Sequence, residues 1–206
     1  MDYISLLIIG FIIGLSGAML PGPMLIYTIS KVLQGRTVSG IKIVFGHILV
    51  EVVAVVLILL GLKEIIGSKT VSTVLATIGG LALIMFGLYI IFKATHMKLP
   101  KDTKVDFSSG LITGGIFFTV FNPTFPTWWL TIGTSLLSRA LLSGLIGVII
   151  LTVGHWLADL TWFGSVSFAV CKGKSLLNDR IYQIILRILA AALVGFGIHF
   201  IITANM

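Results

Sequence analysis

Gly46-His47-Ile48-Leu49-Val50-Glu51 returns further along the chain as Gly154-His155-Trp156-Leu157-Ala158-Asp159. Both stretches read Gly-His-x-x-x-acid, and each lies about halfway along a long apolar run. Histidine and acid stand one helical turn apart, so each pair shares a helix face. Two further signals keep the same order along the chain. Residues 80–94 align without gaps to residues 190–204, where Ala82, Leu83, Phe86, Gly87, Ile91 and Ala94 meet identical residues. Upstream of each Gly-His motif stands a proline interruption: Pro21-Gly22-Pro23 in the first half, Asn122-Pro123-Thr124-Phe125-Pro126 in the second. Apolar composition alone produces chance matches in such segments. The shared order of three signals is what indicates an internal repeat.

The composition around these motifs is that of a membrane protein. Of 206 residues, 57% are hydrophobic and only 10% charged, and the mean hydropathy is +1.15. A soluble domain carries about 25% charged residues because its surface must be hydrated. Six stretches are apolar enough to cross a bilayer, which takes roughly 20 residues each: residues 3–30, 41–62, 71–92, 108–137, 143–170 and 181–203. The first lacks the basic start and small-residue cleavage site of a signal peptide and is expected to remain in the mature chain. The connections are too short for a separate domain. An all-α fold follows, a single transmembrane domain over residues 1–206. Its two three-helix repeats cover about 1–95 and 107–206. Three crossings per repeat is an odd number, so the second repeat is expected to be inverted relative to the first.

The basic residues give the orientation. Lys31, Arg36 and Lys42 flank the first connection, Lys93, Lys98, Lys101 and Lys104 the third, and Lys172, Lys174, Arg180 and Arg187 the fifth. The other side holds Lys63, Lys69 and Arg139. The positive-inside rule then puts both termini outside the cytoplasm in a multi-pass plasma-membrane protein. The net charge of +7 therefore reports orientation rather than nucleic-acid binding, since the basic residues lie between apolar runs.

Proline lacks an N–H and clashes with the carbonyl four residues back. Pro21-Gly22-Pro23 is expected to interrupt helix one, and Asn122-Pro123 with Pro126 to interrupt helix four. Irregular backbone survives at membrane depth only where it is buried in protein or lines a watery cavity. The freed amides and carbonyls can then bind a polar substrate, and a half-helix N-terminus favours a carboxylate. Inverted repeats with discontinuous helices are the architecture of many secondary transporters. A packing kink is the plainer reading of either break taken alone.

Glu51 and Asp159 fall where an ionised side chain costs at least ~2.5–3.5 kcal/mol on insertion scales. With His47 and His155 they are candidates for proton coupling, or for binding a cationic amino group. Two rivals stand beside that reading. The acids could pair with Arg187, or the two histidines and two carboxylates (His47, Glu51, His155, Asp159) could coordinate a divalent metal. Gly10/Gly14 and Gly110/Gly114 suit close helix packing. Trp128, Trp129, Trp156 and Trp162 suit interface belts or core packing. The single cysteine, Cys171, excludes an intrachain disulfide and a multi-Cys metal site. No Walker motif, Gly-x-Ser-x-Gly or His-Glu-x-x-His pattern is present, so neither ATP hydrolysis nor hydrolase chemistry is expected, and no cofactor is implied.

The length, the six crossings, Pro21-Gly22-Pro23, Asn122-Pro123 and the run from Gly154 to Gly164 through Asp159-Leu160-Thr161-Trp162 resemble the lysine exporter (LysE/RhtB) family over essentially the whole chain. The resemblance implies export of amino acids or close derivatives from the cytoplasm, driven by an ion gradient. By motif match it carries over Pro21, Gly22, Pro23, Asn122, Pro123 and Asp159 as substrate-site positions. Glu51 departs from the aspartate expected in helix two, and His47 and His155 belong to no family pattern. The wider superfamily includes metal-ion exporters, which keeps a divalent-metal exporter as the alternative, with a membrane scaffold behind it. The partners expected are a small-molecule substrate and the bilayer, and a homodimer is an open possibility.

Overall fold

The computed structural model describes residues 2–20, 22–35, 39–61, 69–99 and 110–204, all of them in helices or the turns between helices. Pro21, Arg36, Lys63, Lys101 and Lys104 lie outside the described residues. Helix α1 runs Tyr3–Ala18 and starts on Asp2, whose carboxylate accepts the Ser5 N–H at 2.6 Å. That backbone donor holds the exposed Asp2 carboxyl below the ordinary carboxylate range. Helix α2, Pro23–Leu33, is bent 79° from α1. The long helices α3 (Ser39–Leu59) and α4 (Lys69–Ala94) follow.

The stretch over residues 108–137 is interrupted, as its prolines lead one to expect, and in more pieces. Helix α5 ends at Val120, and the chain restarts as α6 (Thr124–Trp128), widens into a π turn over Trp129–Gly133, and continues as α7 (Thr134–Leu141). The reason is local. Pro123 and Pro126 donate nothing to the preceding turn, and Asn122 nucleates the restart, its Oδ1 accepting from Thr124 N at 3.2 Å and Thr124 Oγ1 at 2.8 Å. Helix α8 (Gly144–Gly173) runs through a short 3₁₀ turn, Lys174–Leu176, and helix α9 spans Asp179–Ala204. Four described helices are long and apolar enough to cross a membrane singly, and α1 with α2 makes a fifth if the bent pair is one span.

The outer surface is apolar. Ile4, Ile8 and Ile12 face outward on α1, Leu81, Met85 and Phe92 on α4, and Leu145, Ile146 and Ile149 on α8. Hydrocarbon, not water, is the solvent such a face requires. The principal helix pairs are α1 on α8, α3 on α5 and α4 on α9, each joining one half of the chain to the other. Lipid gives no hydrophobic drive to these contacts, so they depend on close van der Waals approach, which glycine allows. A Cβ on Gly10 would collide with the Leu151 carbonyl, and one on Gly154 with the Leu7 carbonyl. In the α3–α5 pair, Gly115 meets the Ile43 carbonyl and Gly46 the Ile112 carbonyl. In the α4–α9 pair, a Cβ on Gly80 would lie 2.6 Å from the Gly197 carbonyl oxygen, and one on Gly87 2.7 Å from that of Ala190. Each contact has a counterpart with the halves exchanged.

Candidate functional site

The four side chains singled out by the repeated Gly-His motif converge at one point. Glu51 Oε1 lies 3.2 Å from His47 Nε2 on its own helix and 2.9 Å from His155 Nε2 on α8. Asp159 Oδ2 stands 3.6 Å from His155 Nε2 and 3.9 Å from His47 Nε2. Glu51 and Asp159 are almost fully buried, at 1% and 2% exposure. Convergence follows because α3 and α8 also pack against each other. Gly14 on α1 leaves the space that the His155 ring occupies, since a Cβ there would come within 2.7 Å of His155 Nδ1.

Side chains outside the motif orient the cluster. The Thr119 hydroxyl donates to the Gly115 carbonyl at 2.7 Å, and its oxygen lies 2.8 Å from His47 Nδ1. A Thr119 hydroxyl that gives its proton to Gly115 accepts from His47 Nδ1, so this contact fixes the ring in place. His47 Nε2 faces Glu51 Oε1 on the other side of the ring. Trp129, turned inward by the π turn, donates Nε1–H to Glu51 Oε1 at 3.2 Å. Trp128 lies against the His155 ring with centroids 4.8 Å apart, and Trp129 meets the same ring edge-on at 5.3 Å. Glu51 Oε1 thus collects its contacts, while Glu51 Oε2 and Asp159 Oδ2 are buried without a hydrogen-bond partner.

The cluster forms part of the wall of a cavity of about 320 Å³, at the small end of the range for small-molecule sites. Gly22, Met24 and Leu25, at the start of α2, form another part of that wall. No side chain caps this helix end, so its first-turn amides are orphan donors at the positive end of the helix dipole. Asn122 also lines the cavity. With Oδ1 bound to Thr124, its Nδ2 is turned toward Gly22, 3.9 Å from a Cβ built there. Phe118, Phe125 and Phe163 supply apolar lining.

Of the residues expected from sequence, Gly22, Asn122, His47, Glu51, His155 and Asp159 line this one cavity. Pro23 is buried at the first position of α2, and Pro123 precedes α6; neither lines the cavity directly. Pro21 falls outside the described residues. Arg187 is exposed on α9, and the acids' charged neighbours are the two histidines. Sequence reasoning missed Thr119, Trp128 and Trp129. The one signal for the tryptophans is their place just beyond Pro126 in a broken helix.

No curated protein and no solved structure matches the chain. The model of the LysE type translocator family matches residues 15–204. The chain belongs to that family and is a multi-pass membrane translocator.

Proposed function

We propose that the protein is a secondary transporter that exports amino acids or close derivatives from the cytoplasm, coupled to a proton gradient. The observation that carries this is the buried His47–Glu51–His155–Asp159 cluster opening onto a cavity that also meets a helix N-terminus. One wall suits an ammonium group and the other a carboxylate, which is the charge pattern of an amino acid. The substrate carboxylate would meet the first-turn amides of α2 between Gly22 and Leu25, with Asn122 Nδ2 beside them. The ammonium would meet Glu51 or Asp159. The acid left unoccupied, with His47 and His155, would carry the coupling proton.

The chain would cross the bilayer six times, α1 with α2 as one broken crossing and α5 through α7 as another. The exchanged packing contacts support two inverted three-helix repeats: Gly10 with Leu151 and Gly154 with Leu7 match Gly115 with Ile43 and Gly46 with Ile112. Rocking one repeat against the other would expose the cavity alternately to each side. The charge distribution supports termini outside the cytoplasm.

Purified protein in liposomes bearing a pH gradient tests the reading. Wild type should concentrate a radiolabelled amino acid, whereas Glu51→Gln and Asp159→Asn should lose gradient-driven accumulation. Normal accumulation by both variants would remove the coupling role.

A further inference from the structure

Two buried carboxylates each leave an oxygen, Glu51 Oε2 and Asp159 Oδ2, with no hydrogen-bond partner. Such atoms are costly in a low-dielectric interior unless something meets them. The third nearby group, His47 Nε2, faces both acids, at 3.2 Å from Glu51 Oε1 and 3.9 Å from Asp159 Oδ2, with its ring held through Nδ1 by Thr119. One atom each from His47, Glu51 and Asp159 can be chosen so that all three lie within 4.8 Å of one another.

We propose that His47, Glu51 and Asp159 form a binding site for a divalent transition-metal ion, with His155, Trp129 and Thr119 as its orienting shell. Metal–ligand bonds of about 2.0–2.2 Å place adjacent tetrahedral donors roughly 3.3–3.6 Å apart. The His47 Nε2 to Asp159 Oδ2 separation of 3.9 Å lies a few tenths of an ångström beyond that edge, and Glu51 can supply its unpartnered Oε2 while Oε1 stays with His155 and Trp129. A ligating histidine usually donates its other ring N–H to an oxygen, and a ligating carboxylate is usually held by hydrogen bonds on its remaining lone pairs. The partners for both are in place: Thr119 Oγ1 for His47 Nδ1, and His155 and Trp129 for Glu51 Oε1. One imidazole with two carboxylates suits zinc, cobalt or manganese rather than the softer copper(I). A dication would neutralise both acids and leave its remaining coordination positions to water or to a ligand in the cavity.

The inference does not rest on amino-acid transport and is tested separately, on the purified full-length chain in detergent. Zn²⁺ should raise the thermal midpoint in proportion to the logarithm of its free concentration once the site is saturated. Co²⁺ should give a visible absorption band of low-coordinate cobalt. His47→Ala and Asp159→Asn should abolish the band. Thr119→Val, which keeps every proposed ligand, should weaken binding about 10–100-fold. His96→Gln and His199→Gln, which alter exposed histidines away from the cluster, should leave it unchanged. Absence of a band in wild type, or a band that survives His47→Ala, would overturn the metal site. Stabilisation by an amino acid together with no cobalt band would leave the transport reading standing while the metal site fails.

Discussion

Glu51 lies closer to His155, 104 residues away in the chain, than to His47 one turn earlier on its own helix: 2.9 Å against 3.2 Å. The cross-half contact is thus the shorter of the two, and the cluster belongs to the interface between α3 and α8 rather than to either helix. Any movement of one half against the other changes this separation first. The two acids are also unlike each other. Glu51 Oε1 accepts from Trp129 and is flanked by both histidines, whereas Asp159 Oδ2 has no hydrogen bond.

That asymmetry predicts different costs for removing the two acids. Glu51→Leu strands the Trp129 N–H and both imidazoles in a buried site and should destabilise by about 3–5 kcal/mol, the range for breaking a buried pair. Asp159→Asn removes a charge that repels Glu51 and breaks no hydrogen bond at Oδ2. Its thermal midpoint in detergent should equal or exceed that of wild type. A large loss for Asp159→Asn would mean that the acid's attraction to His155 and His47, 3.6 and 3.9 Å away, outweighs its repulsion from Glu51.

Trp129→Phe isolates the indole N–H. Ring packing against His155 is largely kept, while one hydrogen bond to a carboxylate is lost, worth about 1.5–3 kcal/mol. Denaturant or thermal unfolding of the purified variant measures this directly. An interface-belt tryptophan would show no such cost.

Part of this site was legible in the sequence, for a physical reason. Helical spacing puts His47 with Glu51 and His155 with Asp159 on common faces, and burial of acids in apolar helices marks them out. Thr119 was hidden because a threonine in a membrane helix more often bonds back to the carbonyl four residues earlier, as this one does to Gly115. Trp129 was hidden because its aim depends on the π turn, which shifts the helical register and carries no composition signal. The helix-four break was expected at Asn122-Pro123. Its division into three helical pieces follows from Pro126 and the Asn122–Thr124 turn together, a spacing that hydropathy does not register.

Gly22 offers a way to fill the cavity without disturbing the fold. Its backbone is extended, φ −156° and ψ 177°, a conformation open to any residue. A Cβ there comes no nearer than 3.9 Å to Asn122 Nδ2 and the Leu20 carbonyl oxygen. Gly22→Leu should therefore fold with a near-normal midpoint and lower transport at least about tenfold, because the side chain enters the space between α2 and the cluster. Unchanged transport would place the pathway elsewhere.

Cys171 is the chain's only cysteine and is partly accessible near the end of α8, beside Lys172 and Lys174. In the proposed topology that end lies in the cytoplasm. A membrane-impermeant maleimide should label the unmodified protein in inside-out vesicles and not in intact cells. The reverse pattern would invert the proposed topology and, with it, the direction of export.

Helix α8 contains its own control for glycine packing. Gly154 sits against α1, where a Cβ would collide with the Leu7 carbonyl, while nothing lies within 4 Å of a Cβ on Gly164. Alanine at 154 must push α1 away, and overpacking of this kind costs typically about 1–3 kcal/mol. Displacing α1 also moves Gly14 away from His155, so Gly154→Ala should impair transport beyond its effect on stability. Alanine at 164 meets no neighbour and removes a flexible residue from a helix, so it should be neutral or stabilising by up to about 1 kcal/mol. The Gly46 contact with the Ile112 carbonyl is the counterpart in the other half, and Gly46→Ala should reproduce the loss seen at 154. Equal midpoints for the alanine variants at 154 and 164 would show that the α1–α8 approach is looser than these contacts require, and would remove close packing as the reason the cluster assembles.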